Sequence, residues 1–549
     1  MVLAAVLSIM LSVLGFRTGV DATARSDPLS SGRASRHTAS LTRATQQNQA
    51  QLVTKPIGAL FPYEDHRSNK LAPQAKACLF PDFSRLANVG GHHQPRRSRH
   101  KSRTGKGTNQ QLHRRLMQVD AHGHNHETEQ RMRTGTGVSH VDNTEADNEY
   151  LIEVWIGTPG QRVLLLPDTG SWETWAYGPT CCFASNHSFF DPGASETYAN
   201  RTVNRGTGES VRVPRGQPGD EVTLEYGARN RGLRGYAGSD TVSLSQTTPD
   251  LKVRQATVIV ATDIVKDTVA SQRKLDGIMG FAPSSYVTPR MRSSTVSPME
   301  LLVREGHLYR PFLSLTLVKA DRRTGVGLGG RITFGDVDLA AVMGHREDSF
   351  EWFPSDAHDF WGGFLAAEAP LLINGEAVQW KINEPVNYIL DTGSALISLP
   401  REAAALLNGA IPGAFFVKEL GRWSIPCATG LDARADRNPS SSSESSPPPP
   451  PRPPPAPIIS FGIGHTTFSI PASDLVFFPK DPLPPSLTSG REGLCFSAIQ
   501  GFEETFVVLG TVFLRSYAVT FDYGPGAQPD GPRRIGIARR TDVTYPSQT

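Results

Sequence analysis

Short apolar runs broken by Gly and Pro turns dominate residues 149–538. Tyr150-Leu151-Ile152-Glu153-Val154-Trp155-Ile156 has the β-branched and aromatic content of a strand. It stops at Gly157-Thr158-Pro159-Gly160, a turn signal. Residues 163–166 predict the next strand, and the same texture runs to Ala538. Helical patterns are few and short, at 298–305 and 401–407. The pattern predicts a mostly β protein. Residues 23–145 show no sustained periodicity and predict a largely disordered arm.

Charge sharpens that division. The chain of 549 residues carries a net +3, but residues 23–145 hold 19 Lys and Arg against 9 Asp and Glu, and ten of the 15 His. Residues 146–549 hold 36 against 43. A basic arm ahead of an acidic body predicts an intramolecular electrostatic partner. Nucleic acid is not expected, because no aromatic residues interleave the Arg runs. The apolar stretch 1–16 is too short to span a bilayer and is followed by the small residues Val20-Asp21-Ala22. It predicts a secretory signal peptide over 1–22, without a stable membrane anchor. Residues 432–457, with Ser440–Ser443 and Pro447–Pro451, predict a disordered Ser/Pro-rich insertion.

The tetrapeptide Asp-Thr-Gly-Ser occurs twice, as Asp168-Thr169-Gly170-Ser171 and Asp391-Thr392-Gly393-Ser394, 223 residues apart. Each follows an apolar approach, Leu164-Leu165-Leu166-Pro167 and Tyr388-Ile389-Leu390. Each is followed downstream by two apolar residues and a glycine, Ile278-Met279-Gly280 and Val508-Leu509-Gly510. Turn aspartates do not need apolar approach strands, so the repeat predicts a duplicated lobe. Two carboxylates brought together cannot both ionise readily, and one holds a proton while the other is charged. The five cysteines have no Cys-x-x-Cys spacing, so zinc is not supported; no metal and no cofactor are expected.

From Glu149 to Ala538 these residues resemble the pepsin-like aspartic proteases. Ile156-Gly157-Thr158-Pro159, Phe190-Asp191-Pro192, Leu224-Glu225-Tyr226-Gly227, Phe513-Leu514-Arg515 and Ile535-Gly536-Ile537-Ala538 carry the likeness with the two Asp-Thr-Gly-Ser repeats. The resemblance implies two β lobes, 146–335 and 336–549, with a pseudo-twofold axis and a cleft between them. It implies an endopeptidase working at acid pH through Asp168 and Asp391. Thr169 and Thr392 would tie the two loops, Gly170 and Gly393 would allow close approach, and Ser171 and Ser394 would hydrogen-bond the carboxylates. Tyr226 and Gly227 would form the flap, with Trp175 as the tyrosine's partner. It further implies a Cys427–Cys495 disulfide, polypeptide substrates, residues 23–145 as the chain's own propeptide, a monomer, and secretion or delivery to a vacuole. Cys78, Cys181 and Cys182 remain unassigned between a vicinal bridge and a zymogen pairing. Asn186 and Asn200 head glycosylation sequons. Pro167 departs from the family pattern by removing a backbone donor before Asp168. It motivates the alternative, a catalytically impaired chain of the same fold that binds peptides or proteins.

Overall fold

The computed structural model describes residues 135–546 apart from 145–146, 182–186, 204–209, 214–217, 227–231, 246–247, 266–273, 284–295, 321–325, 357–359, 381–384, 431–454, 479–487, 489–490 and 529–530. The signal peptide, most of the basic arm, Cys78, Cys182, Asn186, Gly227 and most of the Ser/Pro-rich insertion lie outside the described residues.

The first strands follow the predicted pattern. β2 (Glu149–Ile156) and β3 (Gln161–Asp168) form a hairpin across the Gly157–Gly160 turn, with Ile156 opposite Gln161 and Ile152 opposite Leu165. β4 (Thr174–Tyr177) is wholly buried. The predicted short helices occupy Pro298–Arg304 and Arg401–Gly409. Ser297 caps the first of them by accepting from the amide of Glu300.

One expectation is corrected. Residues 137–144, assigned to the disordered arm, form strand β1 (Gly137–Thr144). It lies between β2 and the strand Gly327–Phe334, antiparallel to both, with Val141 opposite Ile152. Its inward positions include Gly137, Ser139, Val141 and Asn143, so only one of these four is apolar. The polar ones are satisfied: Ser139 Oγ donates to the Leu244 carbonyl at 2.7 Å, and Asn143 Nδ2 to the Val318 carbonyl at 2.9 Å. Hydrogen bonding replaces hydrophobic burial there, and an apolar-periodicity reading passes over it.

The largest sheet has 15 strands among the described residues and draws on both halves of the sequence. Phe312–Leu317 pairs with Tyr517–Asp522, which pairs with Arg534–Arg539. The C-terminal strands are therefore built into the same sheet as β1–β3.

The duplication is visible in strand register. In the first half β3 runs parallel to Gly277–Gly280, which is antiparallel to β4. In the second half Asn387–Leu390 runs parallel to Val507–Leu509, which is antiparallel to Ile397–Pro400. Gly280 stands opposite Asp168, and Leu390 opposite Leu509, one residue before Asp391 and Gly510. Each aspartate thus leaves the end of a buried strand at an equivalent point.

The Cys427–Cys495 disulfide closes a 68-residue separation in the second half. By loop-closure entropy, replacing both cysteines with serine should cost about 4 kcal/mol, measured as a lower urea midpoint with an unaltered mid-sheet fold.

Candidate active site

β3 and Asn387–Leu390 end with their Asp-Thr-Gly-Ser loops facing one another. Asp168 and Asp391 are both 0% exposed, and their carboxyl groups lie within hydrogen-bonding reach of each other. Ser171 Oγ donates to Asp168 Oδ2 at 2.5 Å, and Ser394 Oγ to Asp391 Oδ2 at 2.6 Å. The amides of Gly170 and Gly393 donate to Oδ1 of Asp168 and Asp391, each at 2.8 Å. The arrangement repeats almost bond for bond across the axis.

The glycines make that approach feasible. A Cβ on Gly170 would stand 2.5 Å from Asp391 Oδ1, and one on Gly393 2.5 Å from Asp168 Oδ1. Each glycine leaves the space that the opposite carboxylate fills.

Thr169 and Thr392 lock the loops together. The Thr169 amide donates to Thr392 Oγ1 at 2.9 Å, and the Thr392 amide to Thr169 Oγ1 at 3.0 Å. Each hydroxyl then donates across to a carbonyl, Thr169 to Leu390 at 2.8 Å and Thr392 to Pro167 at 2.6 Å. Thr392→Val keeps the shape but strands the buried Thr169 amide and Pro167 carbonyl. It should cost about 2–4 kcal/mol, read from denaturant unfolding.

Pro167 is accommodated. The β2–β3 ladder ends at Ile152–Leu165, two residues before it, while the register with Gly277–Gly280 runs through Met279–Pro167 to Asp168. Its carbonyl serves the threonine lock.

Burial sets the electrostatics. It pushes Asp168 above the ordinary carboxylate range, against the lowering effect of Ser171 and the glycine amides. It pushes Asp391 well above that range, and the facing Asp168 adds to the rise. The pair therefore holds a proton at pH values where an exposed aspartate has lost its own.

Tyr226, 5% exposed, follows the strand Glu221–Glu225. Trp175 Nε1 donates to its hydroxyl at 2.7 Å. Both rings sit in an apolar cluster with Leu151, Leu166, Leu233 and Ile278. The structure thus brings together Asp168, Asp391, their Thr, Gly and Ser companions, and separately Trp175 with Tyr226. Asn200, half-buried on the strand Ala199–Val203, stands apart from them. Among the described residues no cluster of His, Cys, Asp and Glu suits a metal, and no helix is long and apolar enough to cross a membrane.

The sequence reading missed Glu173, which is 3% exposed. Burial, with the nearby Asp168 charge, pushes its carboxyl up to about 8. The signal was available: a lone acid inside Trp172-Glu173-Thr174-Trp175, directly after the first repeat.

Residues 149–528 match the family described as eukaryotic aspartyl protease. Among curated relatives, human gastricsin is 26% identical over 381 residues, covering 69% of this chain and 80% of its own. Gastricsin of Callithrix jacchus is 26% identical, covering 70% and 82%. Rhizopuspepsin-1 of Rhizopus niveus is 27% identical, covering 69% and 77%.

Proposed function

Since the chain belongs to the eukaryotic aspartyl protease family, we propose that it is an endopeptidase whose Asp168–Asp391 pair activates water against a peptide bond at acid pH. The observation that carries this reading is the pair itself: two fully buried carboxyls facing each other, each held by one serine and one glycine amide. Sharing one proton gives the pair a base and an acid at the same time. The charged member removes a proton from water as the oxygen attacks the peptide carbonyl. The neutral member donates its proton to the carbonyl oxygen. The member that took the water proton then passes a proton to the peptide nitrogen while the other takes one back from a hydroxyl of the tetrahedral species, so the C–N bond breaks, the amine leaves and the pair again holds one proton. Nothing in this sequence needs a covalent acyl intermediate.

Each supporting group has a task in that cycle. The threonine lock holds the two carboxyls at one separation, which general acid–base transfer requires. Ser171 and Ser394 stabilise charge on the outer oxygens. Tyr226 closes over the substrate from the flap, steadied by Trp175, and closure excludes bulk water. The accommodation of Pro167 supports the catalytic over the binding-only reading.

The same proposal covers export and activation. Residues 1–22 act as a signal peptide, and the basic arm acts as a propeptide that seats on the acidic body at neutral pH. Acidification protonates carboxylates of the body and weakens that attraction. Glycosylation at Asn186 and Asn200 and a monomeric state complete the picture. The test is cleavage of a denatured protein after acidification, with and without a peptide carrying a tetrahedral hydroxyl in place of the scissile carbonyl. Inhibitor-sensitive cleavage supports the proposal; tight peptide binding without cleavage supports the binding-only alternative.

A further inference from the structure

Two consecutive amides hold the first Asp-Thr-Gly-Ser loop at its ends. The Phe281 amide donates to the Asp168 carbonyl at 2.7 Å, and the Ala282 amide to the Ser171 carbonyl at 2.9 Å. In the second half the amides of Thr511 and Val512 hold the carbonyls of Ser394 and Ala395, at 2.7 and 3.2 Å. The two brackets are anchored differently. Thr511 opens the helix Thr511–Leu514, and its carbonyl accepts from the Arg515 amide at 2.8 Å, within its own half. The Phe281 carbonyl accepts instead from two ring donors of the second half, Trp361 Nε1 at 2.8 Å and Tyr523 Oη at 2.5 Å. All three residues are 0% exposed, and the two donor rings meet edge to face with centroids 4.8 Å apart.

Both donors are themselves fixed. The Tyr523 amide donates to the Pro311 carbonyl at 2.9 Å. The Leu390 amide donates to the Trp361 carbonyl at 2.7 Å, so Trp361 also grips the strand that leads into Asp391. Burial holds the Tyr523 phenol well above its ordinary range; Glu300 adds to the rise and Arg533 offsets part of it. The hydroxyl is therefore a donor at every pH where the carboxyl pair titrates. The Phe281 carbonyl and the Ala282 N–H belong to one peptide group. Two donors on its oxygen polarise that group and strengthen the bond from its N–H to Ser171. Ser171 Oγ and the Gly170 amide in turn hold the Asp168 carboxyl.

We infer that Trp361 and Tyr523 are positioning residues for Asp168: acting through the Phe281–Ala282 peptide, they tie the first loop to the strand that carries Asp391. The threonine lock joins the loops at Thr169 and Thr392. This second tie reaches the far end of the first loop, at Ser171, and has no counterpart on the second loop, whose bracket rests on its own helix. Loss of a ring donor therefore loosens the donors to Asp168 and leaves those to Asp391 in place. The inference rests on the peptidase reading for its kinetic consequence only.

The test compares two conservative variants of the full chain. Tyr523→Phe removes one donor and leaves Trp361 on the Phe281 carbonyl, so no buried acceptor is stranded there. Tyr517→Phe is the control: it removes a bond of the same kind, from a buried phenol to the Ser469 carbonyl at 2.8 Å, away from both loops. Tyr523→Phe should lower kcat for peptide cleavage about tenfold with KM little changed. It should also raise the acid limb of the pH profile by about half a pH unit. The sign follows from the donors: looser bonds from Ser171 and Gly170 stabilise the Asp168 anion less, so the first proton leaves the pair at higher pH. Carbon-13 carboxyl shifts should show the same rise in the pair's lower titration step whether or not peptides are cleaved. Tyr517→Phe should move neither readout. An unmoved carboxyl step in Tyr523→Phe, or an equal shift in Tyr517→Phe, overturns the inference. Where Tyr523→Phe does not fold, Trp361→Phe, which keeps the Tyr523 donor, is read in the same way. A carboxyl step that moves in a protein without cleavage defeats the peptidase proposal alone. Cleavage with the same acid limb and the same carboxyl step in the wild type and Tyr523→Phe defeats this inference alone.

Discussion

Asp168→Asn and Asp391→Asn should each lower kcat for peptide cleavage about ten-thousand-fold, with KM little changed. The pair shares one proton, so an amide at either position removes the base and the acid together. For the same reason the double replacement should be no worse than either single one. Neither change should unfold the protein. Asparagine Oδ1 can still accept from the glycine amide, and its Nδ2 can donate to the Ser171 or Ser394 hydroxyl, which turns from donor to acceptor. Both native carboxyls are raised by burial, so their neutral replacements should raise stability as pH approaches neutrality. Steady-state kinetics and thermal melts of the same samples separate the two effects. The wild-type alkaline limb should lie above the ordinary aspartate range, since the limb reports loss of the shared proton.

Glu173→Gln should gain up to about 5 kcal/mol over the wild type at pH 8, and nothing at pH 4. The sign follows from the direction of the shift. The folded carboxyl titrates at about 8 and the ordinary value is 4.5, so the fold favours the protonated form. Its contribution is complete below 4.5 and is lost as pH rises to about 8. Glutamine copies the neutral acid and has no such loss. Asp168 and Asp391 drift in the same direction in both proteins, so the difference between urea midpoints at the two pH values isolates Glu173. A gain of similar size at pH 4 would mean that packing, not charge, sets the effect.

Much of the fold and most of the candidate site were legible because duplication leaves a written trace. Asp-Thr-Gly-Ser, its apolar approach strand and the downstream glycine recur, and the structure sets Gly280 opposite Asp168 in parallel register. The Trp175–Tyr226 bond followed from resemblance rather than from periodicity. Strand β1 was hidden because Gly137, Ser139 and Asn143 face inward and are held by hydrogen bonds instead of apolar area. Pro167 read as a defect because its missing donor is visible in the sequence, whereas the end of the β2–β3 ladder before it is not. Glu173 was overlooked for a related reason. One acid among two tryptophans reads as a surface position until strand pairing shows that no surface is there.

The central claim is that the facing carboxyls hydrolyse peptides, and cleavage of an acid-denatured protein by the purified, acidified chain tests it most directly. The account predicts cleavage at acid pH that a tetrahedral-hydroxyl peptide blocks and that Asp168→Asn and Asp391→Asn abolish. Cleavage unaffected by either asparagine variant, or none at any acid pH from a folded chain that still binds the peptide, would contradict it.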